Sequence, residues 1–367
     1  MRIGVPRETT AGERRVALVP ESVARLRKAG VDVRIQRGAG VTAFVTDDAY
    51  ATAGAELVDD ASAVLGDCDV ICKVQRPSPE EAALVREGAL VISLLQPSTS
   101  ADTLEALNAR KVTALALERV PRITRAQSMD ILSSQATVAG YKAVLIAATH
   151  TSKILPMLMT AAGNIPPAKA FVVGAGVAGL MAIATARRLG AIVSGYDVRA
   201  AAREQVLSLG ATFIGPEPEA DAEAAGGYAR EQTAEEKAKT LAALAAHVTT
   251  QDLIITTAAI PGRAAPRIIT ADMVRSMRPG TVLIDMAAES GGNCELTRAG
   301  EVVEVDGVTI VGAVNLPSSV PFHASVMFSK NVLTLLQHMI KDGALGLNLD
   351  DEIIGPMCVA HAGTSRA

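Results

Sequence analysis

Three observations predict an α/β protein made of two doubly wound, Rossmann-like domains, each on a parallel sheet, joined by long helices. The chain has 367 residues, more than one ordinary core encloses. Its residues are 49% hydrophobic but only 2% aromatic, with no Trp, so the core must be built from Ala, Val, Leu and Ile, as buried parallel strands usually are. The run Val173-Gly174-Ala175-Gly176-Val177-Ala178-Gly179, entered by Ala170-Phe171-Val172, reads as strand, glycine turn and helix.

The elements follow in order. Short β-type runs at residues 3–5, 31–36, 70–74, 89–95 and 112–117 alternate with helical patterns such as 21–29 and 103–109, and Gly30 is placed as a helix stop. That alternation predicts a first domain without a glycine-rich phosphate loop. Residues 133–149 read as one long apolar helix leading into a second domain, with further strands at 253–256, 281–286 and 309–311. Val302 to Val305 and Val308 to Val311 flank Asp306-Gly307, a dipeptide suited to a hairpin turn with positive φ. A second long helix over 323–340 returns the chain, so the first domain is expected to comprise 1–132 plus 322–367 and the nucleotide domain 133–321. Residues 215–251 break the alternation. The Ala225-Gly226-Gly227-Tyr228 stretch reads either as part of a mobile flap, about 215–232, or as a solvated surface excursion.

In the glycine run, Gly174 would make the tight turn, Gly176 would let backbone N–H groups approach a pyrophosphate, and Gly179 would let helix and strand pack closely. Ala175, Val177 and Ala178 complete the loop, whose helix N-terminus favours an anion. A second apolar strand, Ala191 to Tyr196, ends at Asp197 close to twenty residues on, an acid suited to the two ribose hydroxyls of NAD(H) and repulsive to a 2′-phosphate. Val198 and Arg199 follow, and the arginine leaves a pairing with such a phosphate open. A glycine turn that binds nothing is the plainer alternative.

The net charge of −4 is scattered, which argues against a nucleic-acid surface. Cys68, Cys72, Cys294 and Cys358 form no CxxC pair and the five histidines show no ligand spacing, so neither a metal site nor a disulfide framework is expected. His150, His247, His323, His338 and His361 have no acid or serine partner nearby in sequence and read as structural or surface groups. The N-terminus lacks a secretory pattern, and residues 170–186, apolar but broken by glycines, are short of a span. A cytoplasmic protein with no direct membrane insertion is the expectation.

Arg122-Ile123-Thr124-Arg125-Ala126-Gln127-Ser128-Met129-Asp130-Ile131-Leu132-Ser133-Ser134-Gln135 is more specific than a fold. Together with Gly12-Glu13-Arg14-Arg15-Val16-Ala17, Lys73-Val74-Gln75-Arg76-Pro77, the glycine run, the stretch around Tyr228 and Glu289-Ser290-Gly291-Gly292-Asn293-Cys294, it resembles the NAD(H)-binding component of Re/Si-specific, proton-translocating transhydrogenases. The resemblance covers nearly the whole chain. It implies that Arg122, Gln127, Asp130 and Ser133 surround the nicotinamide end of NAD(H), that Tyr228 closes over the adenosine, and that Ala258 lies at the cofactor. It further implies a homodimer, an NADP(H)-binding domain and a membrane proton-channel domain on other chains, and a place at the cytoplasmic membrane through those partners. From residue types alone, Asp130 or Ser128 would be a helix cap with solvated charges around it.

The alanine dehydrogenase family is also similar, with informative departures. Arg15 and Lys73 match its carboxylate-holding residues, either as ligands or as retained salt bridges, but Gln96 stands where that family has its acid/base histidine. Glu289 falls at its active-site aspartate and is expected to satisfy the following Gly-Gly turn. Oxidising an amino acid requires a proton to leave nitrogen, whereas exchange between two nicotinamides does not. Direct hydride transfer to NADP(H) on a partner is therefore the leading expectation, with a free-standing amino-acid dehydrogenase and a non-catalytic NAD(H) sensor as alternatives.

Overall fold

Apolar runs of four to six residues become the inner strands of two sheets, because each buries both faces. In the computed structural model, residues 1–215, 223–224, 228–229, 234–259 and 263–366 are described. The Gly226-Gly227 hinge and most of the expected flap lie outside them, as does the side chain of Tyr228. Glu223–Ala224 and Tyr228–Ala229 pair as a short antiparallel ladder.

The described chain forms two compact units, Met1–Gln135 with Pro317–Ala367, and Ala136–Leu316. The first carries an eight-stranded sheet, in spatial order Thr364–Ser365, Cys358–His361, Thr113–Ala116, Leu90–Leu94, Val70–Gln75, Arg2–Val5, Asp32–Gln36 and Glu56–Val58. Six strands run parallel, Cys358–His361 runs against them, and Thr364–Ser365 turns back antiparallel to it at the edge. On one face Ile3, Val5, Val33, Ile35, Val70, Cys72 and Ile92 pack with the long helix Pro321–Met339 through Phe328, Val332 and Leu336. On the other, Ile71, Val91 and Ala114 meet Val64, Leu104 and Leu107.

The second unit has seven strands, in order Thr212–Phe213, Ile192–Tyr196, Lys169–Val173, Leu253–Thr256, Val282–Asp285, Val308–Gly312 and Val302–Val305. Only the last is antiparallel, through the Asp306-Gly307 turn, where φ is 51° and 78°. Helix Val177–Arg188 packs against Lys169–Val173. A further hairpin, Leu158–Thr160 with Gly163–Ile165, stands out from the alternation.

Helix Ile131–His150 is the candidate membrane span by length and composition among the described residues. Its Ala139, Ala143, Val144 and Ala147 belong to the core that contains Val172 and Ile183, so it is built as a core helix. At Gly140 a Cβ would come within 2.1 Å of the Ala178 carbonyl oxygen, which explains a glycine in its middle.

Candidate functional site

The glycine turn joins Lys169–Val173 to Val177–Arg188, and its three glycines have three different reasons. Gly174 takes φ +96°, which an L side chain rarely adopts, and a Cβ there would sit 2.6 Å from Thr257 Oγ1. At Gly179 a Cβ would lie 1.8 Å from the Gly174 carbonyl oxygen, so its absence is what lets helix and turn touch. Gly176 is different. Its φ of −75° suits any residue, and the nearest atom to a Cβ would be Arg199 Nη2, 4.0 Å away. Neither backbone nor packing demands glycine there, and the missing side chain leaves space over the first turn of the helix. The residues present fit a dinucleotide pyrophosphate.

Asp197 stands just beyond Ile192–Tyr196 and is nearly buried. Its Oδ2 accepts from Ala175 N at 2.7 Å and its Oδ1 from Arg199 N at 2.9 Å, so the carboxylate ties the glycine turn to its own strand end. Arg199 Nε and Nη2 each donate to it at 2.9 Å. Thr257 Oγ1 donates to the Gly174 carbonyl at 2.9 Å. Ala258 is fixed by Asn293, whose Oδ1 accepts from Ala258 N (3.0 Å) and whose Nδ2 donates to the carbonyls of Ala258 and Pro266 (2.8 Å each). This fully buried amide is the supporting residue that sequence reading passed over. The signal was present: an Asn straight after the Gly291-Gly292 pair.

Glu289 departs from expectation. The amides of Gly291 and Gly292 donate to the carbonyls of Ala288 and Ala287, while Glu289 Oε2 accepts from Asn315 N at 3.2 Å. The turn satisfies itself, so the carboxylate is used across to the next loop.

In the first unit, residues 122–133 form a 3₁₀ turn, Thr124–Met129, followed by helix Ile131–His150. Ala126 and Met129 plug the core, and Asn331 Nδ2 donates to the Ser128 carbonyl at 2.7 Å, leaving Arg122 and Gln127 exposed on a held segment. Asp130 caps the helix: its Oδ1 accepts from Ser133 N at 2.9 Å and its Oδ2 from Ser133 Oγ at 2.6 Å. Asp130, rather than Ser128, is the capping residue.

Arg15 and Lys73 are buried ion pairs. Arg15 Nε and Nη2 donate to Glu13 at 2.8 and 2.7 Å, and Nη1 to Gln135 Oε1 at 2.9 Å. Lys73 Nζ donates to both oxygens of Glu81 at 2.9 Å. Burial raises the Glu13 carboxyl, but the Arg15 hydrogen bonds and charge outweigh it and hold the group at about 2. Burial pushes Glu8 the other way, to about 7, against the pull of Lys73. Gln96 is exposed, in left-handed backbone (φ +48°), and its Oε1 accepts from Arg76 at 3.0 Å.

Partners that the sequence did not show appear at three histidines. His247 Nε2 lies 2.8 Å from Ser194 Oγ, His338 Nε2 lies 3.1 Å from Asp351, and His361 Nδ1 lies 2.9 Å from Thr113 Oγ1. Among the described residues, no group of three or more His, Cys, Asp or Glu is placed to hold a metal ion, and the four cysteines are buried thiols.

Two family models together cover nearly the whole chain, and the second runs on through the C-terminal segment, 317–367, that packs in the first unit. The alanine dehydrogenase/PNT N-terminal domain family matches residues 4–139 and the C-terminal domain family residues 143–367. An NAD(P) transhydrogenase alpha subunit of Rhodospirillum rubrum is 49% identical, over 99% of this chain and 97% of that one. A solved transhydrogenase from Sinorhizobium meliloti superposes with a TM-score of 0.92 at 46% identity, covering both chains completely. Alanine dehydrogenase of Mycobacterium tuberculosis is 32% identical over 88% of this chain and 82% of its own. With both domains matched and near-complete relatives far above chance identity, the chain belongs to the alanine dehydrogenase/PNT family.

Proposed function

We propose that this chain is the NAD(H)-binding component of a proton-translocating transhydrogenase, working with NADP(H) carried on a partner domain and with a membrane domain that couples the exchange to proton movement. The observation that carries this reading against an amino-acid dehydrogenase is the state of Arg15 and Lys73. The cations that would hold a substrate carboxylate are buried against Glu13 and Glu81, and Gln96 offers no imidazole for the proton of an amine. The glycine turn tied to Asp197, with space over Gly176, supports a dinucleotide at this place. The similarity to transhydrogenase subunits over nearly the whole chain supports the same reading.

When bound, NAD(H) supplies or accepts the hydride at its nicotinamide. This chain's own residues position and exclude. The turn 174–179 and the N-terminus of Val177–Arg188 receive the pyrophosphate, Asp197 and Val198 the adenosine ribose, with Arg199 between Asp197 and the turn, and Ala258, held by Asn293, and Tyr228 flank the adenosine. Arg122 and Ser133 bond the carboxamide and so fix which ring face is open, Asp130 keeps Ser133 in place, and the exposed Gln127 reaches toward the partner's nucleotide. Met157, Met159 and Ile165, exposed on and beside the hairpin Leu158–Thr160/Gly163–Ile165, support assembly as a homodimer through this half. The chain then sits at the cytoplasmic face of the membrane through its partners.

Reconstitution with an NADP-binding domain tests this. The isolated chain is expected to bind NADH more tightly than NADPH and to show almost no redox activity until that domain is added. Gln127→Asn is expected to lower transfer by about tenfold while NADH affinity changes little. Robust reduction of NAD by alanine without a partner would overturn the reading, and an equal loss of NADH binding would remove Gln127 from its role.

A further inference from the structure

Asp197 has no acceptor site left. A carboxylate takes about four hydrogen bonds. Here Oδ1 receives Arg199 N and Nε, and Oδ2 receives Ala175 N and Arg199 Nη2, all at 2.7–2.9 Å. Two of the donors are backbone amides locked into the turn and the strand end. The other two belong to one guanidinium on a partly exposed side chain, at 22% against 7% for the acid. A ribose diol brings two O–H donors, so it enters only by replacing those two N–H groups, one for one.

The place to which the guanidinium goes is also on the structure. Arg199 Nη2 already lies 4.0 Å from the Cβ position of Gly176, beside the first turn of Val177–Arg188. A cation next to a helix N-terminus is in an unfavourable field unless an anion joins it. Here Asp197 supplies an anion beside it, through two hydrogen bonds from Arg199.

We propose that Arg199 is an exchangeable counter-ion: it covers Asp197 in the free protein, and when the ribose hydroxyls take the carboxylate it transfers to the pyrophosphate above Gly176. This sharpens nucleotide choice from both sides. The uncovered carboxylate repels a 2′-phosphate, and the guanidinium next to it is committed to the pyrophosphate. The inference rests on the reading of this site as an NAD(H) site.

Calorimetric binding of adenosine, ADP, NADH and NADPH to wild type, Arg199→Ala and Arg199→Lys separates the possibilities. Arg199→Ala is expected to weaken ADP and NADH by about tenfold or more. Adenosine, which has a ribose but no phosphate, is expected to bind as well as before or better, because its competitor for Asp197 is gone. Arg199→Lys keeps the charge without the fork and is expected to retain part of the advantage of ADP over adenosine. Thermal unfolding of each variant confirms that the turn is intact. If adenosine and ADP weaken equally, or neither changes, Arg199 stays on Asp197 in the complex and the inference fails. A folded wild-type protein that binds none of the four would instead sink the NAD(H) reading itself.

Discussion

Gly176 and Gly179 are alike in sequence and opposite in what they tolerate. A Cβ at Gly179 collides with the backbone oxygen of Gly174, which cannot move without opening the turn. Gly179→Ala is therefore expected to destabilise the protein by about 3 kcal/mol, read as a lower denaturant midpoint. Gly176→Ala meets open space and is expected to change stability by less than about 0.5 kcal/mol, while NADH affinity falls. Unchanged NADH binding in Gly176→Ala would mean that no ligand approaches the turn. The spacing of the glycines was legible in the sequence. What surrounds each of them was not, because that depends on Thr257 and Arg199, brought there from other strand ends, and on the fold of the turn that aims the Gly174 carbonyl.

At the level of elements, the inner strands and both long helices were legible because their signal is local: apolar runs, helical periodicity and the Asp-Gly turn. The short strands Glu56–Val58, Thr212–Phe213, Cys358–His361 and Thr364–Ser365, at or next to the sheet edges, were not, since two to four residues carry little pattern and are fixed by the strand they join. The hairpin Leu158–Thr160/Gly163–Ile165 escaped notice for a related reason: its apolar side chains face outward, with Met159 78% exposed. If this hairpin is covered by a second copy, Met159→Asp is expected to shift sedimentation from dimer to single copy with the circular dichroism spectrum unchanged. A dimer that persists would place the contact on another surface. The segment 122–133 shows how one element serves two readings. Asp130 caps the helix, as residue type alone suggested, and by doing so it sets the position of Ser133, the neighbour assigned to the carboxamide.

For the whole molecule, the buried charges of the first unit govern how stability changes with pH. Glu8, Glu13 and Glu81 face Lys73 and Arg15, and Glu8 accepts only backbone amides, from Val74 and Gln75, with Lys73 Nζ 3.9 Å away. Burial raises Glu8 from 4.5 to about 7, so the native state holds a proton that the unfolded chain has lost. Its stabilising contribution is full below pH 4.5 and disappears as pH rises through about 7. Glu13 has the opposite sign: held at about 2, it stabilises above pH 4.5 and loses that contribution as pH falls through about 2. Each amounts to roughly 3 kcal/mol. Wild type is expected to have a lower denaturant midpoint at about pH 8 than at about pH 5, and Glu8→Gln to remove most of that difference. Equal midpoints for wild type at the two pH values would show that Glu8 ionises normally.

The sequence by itself determined the α/β class, the strand, turn and helix order around Gly174 and the acid at residue 197, because these are set by residue type and spacing along the chain. The tertiary structure alone decided what those groups are bonded to. Asp197 turns out to be fully engaged by Ala175 and Arg199, Arg15 and Lys73 to be neutralised by Glu13 and Glu81, and Ala258 to be held by an asparagine 35 residues away. Most of these partners meet only when separate strands and loops come together, and even short-range pairs such as Arg199–Asp197 depend on the turn the fold gives them. Spacing carries which groups are available; folding in three dimensions decides which of their hydrogen bonds are already made.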